Sequence, residues 1–212
     1  MTRYAVIDFE TSGLSPLQGD RALEIAAVIV ENGVVRDSWQ SLMNPGIAVP
    51  PFISQLTGIT TAMVRSAPHP RDVMAEAARF VGDATLVAHN ASFDKKFWEY
   101  ELNRIRIYKQ PAFLCTLLIA RRLYPWAENH KLGTLAAMHN IHTDGRHHRA
   151  LADASMTAEL FIQMKKDLAV LHNDKKMDVG FMEKYQKLNK TQAKWMPKPE
   201  RKLVKGSGRI IF

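Results

Sequence analysis

The stretch Val6-Ile7-Asp8-Phe9-Glu10-Thr11-Ser12-Gly13 constrains this chain more than any other. Side chains alternate along a strand, so Asp8 and Glu10 share one face while Ile7 and Phe9 point to the other, into apolar surroundings. Two carboxylates at the end of an apolar strand repel each other, and both stay ionised at low cost only where cations bind between them. Hard oxygen donors of this kind suit Mg2+ or Mn2+, ions that work on phosphate. Taken alone, Asp-x-Glu fits an exposed strand end with two solvated acids better. Residues further along the chain decide between the two.

The strand spans residues 3–9. A second β-branched run covers residues 22–30, and Glu31-Asn32-Gly33 is a hairpin turn, because Asn-Gly tolerates positive φ. Residues 34–43 return as a third strand, giving an antiparallel meander. Residues 44–51 hold Pro45, Pro50 and Pro51 and read as irregular. Short helical pieces come next, at 54–56 and 61–64. Residues 71–81 are amphipathic through Val73, Ala77, Phe80 and Val81. A short apolar strand at 85–88 precedes a helix at 93–104 that Ser92 can cap. A fifth strand at 113–116 leads into a helix that stops at Pro125. Helices at 132–139 and from about 149 to 172 complete the body. A meander followed by alternating helices and short strands predicts an α/β fold with a mixed sheet.

At 212 residues the chain fits one domain with an extension. A hydrophobic content of 46% with 24% charged residues is that of a soluble protein. The formal charge of +8 is uneven: eleven Lys and Arg stand against four acids from Asp174 onward, leaving the first 173 residues near neutral. This divides the chain into a body, 1–173, and a basic C-terminal tail, 174–212. Such a tail suits a polyanion, nucleic acid first, or simply a solvated segment. Cys115 has no intrachain partner and no zinc-site spacing, which fits a reduced cytosol. No signal-peptide layout is visible, and no apolar run could span a bilayer, so a cytoplasmic location is expected.

Two later stretches bear on Asp8 and Glu10. In His89-Asn90-Ala91-Ser92-Phe93-Asp94, Asp94 falls in the first turn of a helix behind a buried strand. It can answer the helix dipole there, or serve as a metal ligand at the open end of the sheet. In His147-His148-Arg149-Ala150-Leu151-Ala152-Asp153, His148 and Asp153 are five apart, roughly 140° on a helix. They share a site only if the helix begins between them, and Asp144-Gly145 supports a loop just before.

In that order, Asp8-x-Glu10, His89-Asn90-x-x-x-Asp94 and His148-x-x-x-x-Asp153 resemble the three motifs of the DEDD exonuclease superfamily. The histidine five residues before the last Asp resembles the DEDDh branch, where the sister branch has a tyrosine at the position of Arg149. The similarity covers about residues 2 to 165. It includes Leu56-Thr57-Gly58-Ile59-Thr60, and Ala120-Arg121-Arg122-Leu123-Tyr124-Pro125 looks most like the exonuclease X type.

The resemblance implies an RNase H-like fold and metal-dependent hydrolysis from 3′ ends to nucleoside 5′-monophosphates, with two Mg2+ or Mn2+ ions. Asp8 would bridge the ions, Glu10 and Asp153 would complete the site of one, and Asp94 would hold the second largely through water. His148 would take the proton of the attacking water. The physics agrees: two ions activate a nucleophile and stabilise a leaving oxygen, and a histidine near its ordinary pKa is a base at neutral pH. Thr11, Leu14, Leu56, Asn90 and Phe93 resemble positions around the 3′-terminal nucleotide, although Leu56 and Phe93 suit a core equally. Glu24 reads as a structural ion pair rather than a fifth ligand. His139, His142, His147 and His148 lack the cysteine partners of a zinc site. The expected substrate is nucleic acid with a free 3′ end, DNA before RNA, with a DNA polymerase or repair protein as a possible partner and no membrane. The alternatives are an exoribonuclease of the RNase T or oligoribonuclease kind, or a proofreading or nucleic-acid-binding polymerase subunit.

Overall fold

The computed structural model describes residues 2–108, 111–142, 149–173, 177–189 and 191–198. Five strands form one sheet: β1 (Arg3–Thr11), β2 (Ala22–Glu31), β3 (Val34–Leu42), β4 (Thr85–Ala88) and β5 (Phe113–Cys115). Their order is β3-β2-β1-β4-β5, with β1 to β3 antiparallel and β4 and β5 parallel to β1. The meander turns at Asn32 and Gly33, both at positive φ (53° and 74°), the conformation that Asn-Gly favours. The helices are α1 (Pro51–Thr57), α2 (Thr61–Arg65), α3 (Pro70–Val81), α4 (Ser92–Arg104), α5 (Thr116–Leu123), α6 (Leu132–Met138), α7 (Ala150–Leu171) and α8 (Val179–Tyr185). The mixed sheet with flanking helices is the α/β arrangement expected from the sequence.

Alternation along β1 builds two cores. Tyr4 and Val6 face a layer that holds Leu160, Phe161 and Met164 of α7, while Ala5, Ile7 and Phe9 face Val73 and Met74 of α3 and Phe97 and Trp98 of α4. Asp8 and Glu10 therefore continue the α7 face of the strand. Ala150, Ala154 and Ala158, four apart and fully buried, let α7 approach the sheet closely. β2, covered on both faces, is buried from Ala22 to Val30.

The structure departs from the sequence reading in several places. β1 continues two residues further, to Thr11, through an irregularity at Glu10/Thr11 in its pairing with β2. Ser92 does not cap α4: it is the first helical residue, Ala91 is the N-cap, and the Ser92 hydroxyl turns to Asn90 Oδ1 at 3.5 Å. α8 (Val179–Tyr185) is a helix within the stretch that the sequence marks only as a basic tail.

The extension starts by packing on the body. Met177, Met182, Tyr185 and Ala193 are buried in the same layer as α7. Gln186 sits against the edge strand β5, where its Oε1 accepts the Cys115 N–H at 2.8 Å and its Nε2 donates to the Phe113 carbonyl at 3.1 Å. Further on, the Met196 N–H reaches Leu123 O (2.8 Å) and Trp126 Nε1 donates to Met196 O (2.6 Å). Arg201, Lys202, Lys205 and Arg209 lie outside the described residues.

Candidate active site

The carboxylates converge because three elements end together. Asp8 and Glu10 project from the C-terminal end of β1, and Asp153 from the first turn of α7. One ligand oxygen from each of these three lies within 4.8 Å of the others. Asp94, in the first turn of α4, is 2% exposed, and its Oδ1 accepts the Phe9 N–H at 3.2 Å, between the two acids of β1. The sheet thus brings all four expected acids to one end of β1 and β4.

Burial and mutual repulsion disturb their protonation. Burial, then the charges of Asp94, Glu10, Asp153 and Glu24, holds Asp8 well above the usual carboxylate range. Burial pushes Glu10 up to about 8, with Asp153 and Glu24 adding to the rise and Arg149 opposing it. Burial lifts Asp94 to about 7 against the pull of the Phe9 N–H. A set of hard oxygen donors that repel one another this strongly fits divalent cations, whose charge would offset the repulsion.

The loop after β1 is bound tightly to the start of β2. Ser12 and Arg21 exchange hydrogen bonds (Ser12 N–H to Arg21 O, Arg21 N–H to Ser12 Oγ, both 2.9 Å), and Asp20 Oδ2 accepts the Ser15 N–H at 2.9 Å. That carboxylate fills the space a side chain at Gly13 would need: a Cβ there would lie 2.3 Å from Asp20 Oδ1. Thr11 is buried and its hydroxyl donates to Gly13 O at 2.6 Å, so its side chain supports the loop. Leu14 is 76% exposed beyond it, and its carbonyl accepts from Lys96 Nζ at 2.7 Å.

Leu56 on α1 is 53% exposed, which places it at the surface and not in a core. Phe93 is half-buried, with its ring 5.2 Å from that of Phe97 and Lys96 Nζ 5.1 Å from its centroid. Asn90, exposed at φ 68°, makes the turn from β4 into α4, a left-handed position that Asn tolerates. His89 is structural: its ring lies between Thr116 Oγ1 (2.9 Å) and His130 O (3.0 Å), and burial lowers its pKa to about 4. His148 and His147 lie outside the described residues. The helix does begin between positions 148 and 153, at Ala150, as their spacing requires.

Two ion pairs frame the site, and only one partner of one pair stood out in the sequence. Glu24 pairs with Arg149, bearing out its reading as a structural ion pair. Arg21 and Glu101 form a bidentate bridge at 2.8 and 2.9 Å, and Arg21 Nη1 also reaches Pro45 O at 3.3 Å. A separation of 80 residues leaves no local signal for that pair.

An acidic centre at the end of a mixed sheet, with oxygen donors that suit divalent cations, is the kind of site that metal-dependent phosphate-processing enzymes use. Comparison with known proteins makes this specific. The model of the Exonuclease family (RNase T type) matches residues 5–161. The DNA polymerase III epsilon subunit of Aquifex aeolicus is 36% identical over 167 residues, 78% of this chain and 81% of that subunit. The PolC-type DNA polymerase III of Caldanaerobacter subterraneus is 39% identical over 165 residues, 78% of this chain but 12% of that polymerase. The chain thus spans about an eighth of the length of the PolC-type relatives it matches. Among solved structures, exonuclease X in complex with 5′-overhanging duplex DNA superposes with a TM-score of 0.63 at 30% identity, covering 77% of this chain and 91% of that one. The chain belongs to the Exonuclease family, the DEDDh 3′–5′ exonucleases that its motifs resemble, and its fold is the RNase H-like one of that family. Among the described residues no helix is long and apolar enough to cross a membrane.

Proposed function

We propose that this chain is a metal-dependent 3′–5′ exonuclease that removes nucleoside 5′-monophosphates from DNA 3′ ends in the cytoplasm. The observation that carries this reading is the convergence of Asp8, Glu10 and Asp153 within 4.8 Å, with Asp94 tied to the strand between the first two. DNA is favoured over RNA because the similar solved structure is exonuclease X with duplex DNA and the similar curated proteins include a DNA polymerase III subunit. The same relationship favours a second reading, in which the chain works beside a polymerase as a proofreading unit.

Asp8, Glu10 and Asp153 would hold one Mg2+ or Mn2+, and Asp8 with Asp94 a second. When bound, such ions supply Lewis-acid charge to the scissile phosphate and lower the pKa of water. The chain does the rest. His148 accepts the proton of the attacking water. Leu14, Leu56 and Phe93 offer apolar surface to the terminal nucleotide, Thr11 its backbone, and Asn90 a polar edge at the turn into α4. The division into a catalytic body, 1–173, and an extension, 174–212, places the basic residues beyond Lys198 as contacts for the polyanion away from the reaction.

Matched, end-labelled DNA and RNA oligonucleotides incubated with Mg2+, Mn2+ or EDTA test the proposal. Stepwise loss of 3′ nucleotides from DNA, abolished by EDTA and by Asp8→Ala or Asp153→Ala, is expected. Wild-type turnover by either variant would overturn the assignment.

A further inference from the structure

Glu24 belongs to none of the three motifs, yet it is among the least exposed charged groups described, at 1%. It accepts three N–H bonds, all from the entry to α7: Arg149 Nη2 at 2.9 Å, Arg149 Nε at 3.2 Å and the Ala150 backbone N–H at 3.2 Å. Arg149 is the N-cap of α7 and makes no side-chain cap of its own. The first N–H groups of a helix lack intrahelical partners, and a carboxylate there also meets the positive end of the dipole. Glu24 is therefore the cap of α7, supplied from β2.

The reach from this cap to the reaction is short. The Asp153 N–H bonds to Arg149 O at 3.1 Å, so the residue that Glu24 holds is the one on which the Asp153 backbone is hung. On the sheet side, Glu24 stands directly opposite Glu10 in the β1–β2 ladder. One side chain thus links the strand that carries Asp8 and Glu10 to the helix that carries Asp153. We infer that Glu24, through Arg149 and Ala150, is a positioning residue that holds Asp153 within coordinating distance of Asp8 and Glu10. This rests on the cation-dependent reading of the site given above.

Stability alone is a weak reason for such a pair, because a buried ion pair gains little over apolar residues of the same volume. Geometry gives a better one. Three carboxylates within 4.8 Å push α7 away from β1 wherever they are ionised with no cation between them. A bidentate guanidinium–carboxylate contact plus a helix cap resists that push in the direction it acts. Both oxygens of Glu24 accept from these donors, and it is not among the three acids whose oxygens converge.

The test measures Mn2+ binding by calorimetry, without substrate, for wild type, Glu24→Ala, Glu24→Gln and Arg149→Lys, and single-turnover cleavage of a short DNA oligonucleotide across Mn2+ concentrations. Partners that orient metal ligands typically carry about 10–100-fold in metal affinity or activity. Glu24→Ala is expected to raise the half-saturating Mn2+ by about that factor in both measurements. Glu24→Gln, which keeps an acceptor for the Ala150 N–H, falls between it and wild type, as does Arg149→Lys, and the KM for DNA stays put. Gln186→Leu, which weakens the fold at the edge strand β5 and touches none of the site acids, serves as a destabilised control and keeps the wild-type Mn2+ requirement. Should Glu24→Ala not fold, the other two variants carry the comparison. Wild-type Mn2+ affinity and rate in the Glu24 variants, or an equal shift in Gln186→Leu, would overturn the inference. A wild-type protein that binds Mn2+ but cleaves no nucleic acid would sink the nuclease reading instead, and the isotherms would still decide the place of Glu24.

Discussion

Replacing Gln186 with leucine isolates the contribution of one amide to the whole domain. Its side chain, 6% exposed, stands where a sixth strand would pair with β5. Leucine keeps the volume and loses both hydrogen bonds. The Cys115 N–H then stays buried without an acceptor, at a cost of about 1–3 kcal/mol. The Phe113 carbonyl is only partly buried and can turn to water, so its bond is worth about 0.5–1.5 kcal/mol. Together the loss comes to about 1.5–4.5 kcal/mol, before a small gain from the added apolar surface. For a chain of this size that lowers Tm by roughly 3–18 °C. The assay is urea and thermal unfolding of the full chain, with hydrogen exchange at the Cys115 amide. Gln192→Leu, on an exposed turn of the same segment, is the control and should stay within about 0.5 kcal/mol of wild type. A loss below about 0.5 kcal/mol for Gln186→Leu, or unchanged protection at Cys115, would show that the extension merely rests on the body.

Other outcomes concern the acids and the residues flanking them. Glu10 moves from an ordinary 4.5 to about 8 and Asp94 from 3.8 to about 7, so the folded site binds more protons than the unfolded chain across that range. Stability in EDTA should therefore fall as pH rises from about 4 to about 8, and Mn2+ should reverse the trend; Tm against pH with and without the ion checks the sign. Asp8→Ala and Asp153→Ala remove a like charge and should melt at or above the wild-type temperature in EDTA, while losing the rise that Mn2+ gives the wild type. His148→Ala should slow single-turnover cleavage by about 10²–10⁴-fold and His147→Ala far less; the reverse ranking would put the wrong histidine at the water. Removing residues 199–212 should weaken binding to single-stranded DNA and reduce its salt dependence by about 0.7 per lost phosphate contact, leaving the rate on a saturating short oligonucleotide unchanged.

The site was legible where chemistry and local periodicity coincide. Strand alternation alone placed Asp8 and Glu10 together, and the helix start demanded by His148 and Asp153 falls at Ala150. The Asn-Gly turn fixed the meander for the same local reason. What stayed hidden depends on contacts between distant residues. Glu24 reads as a structural ion pair, but nothing in its neighbours pointed to Arg149, 125 positions away. Gln186 is an ordinary glutamine until β5 proves to be an edge. The positive charge after Asp174 suggested a polyanion-binding or solvated tail, because charge dominates the composition there and masks the spacing of Met177, Met182 and Tyr185, which fill the core. Ser92 misled for a different reason: a good capping residue one position late bonds to the loop instead.

The two hidden ion pairs have a common logic. The ligands of this centre sit on three separate elements, and the pairs tie the two helices among them to the beginning of β2. Arg21 grips Glu101 on α4, seven residues along the helix from Asp94, and Glu24 grips Arg149 at the entry to α7, just before Asp153. β2 itself is paired along its length with β1, which carries Asp8 and Glu10. Repulsion among the acids acts to spread these elements, and neither a longer sheet nor a larger core opposes that spreading at the point where it arises. Cross-links from β2 and the residue just before it to both helices do. Holding the elements this way fixes the spacing of the acids in advance, so that a cation entering the site would not first have to reorganise the sheet.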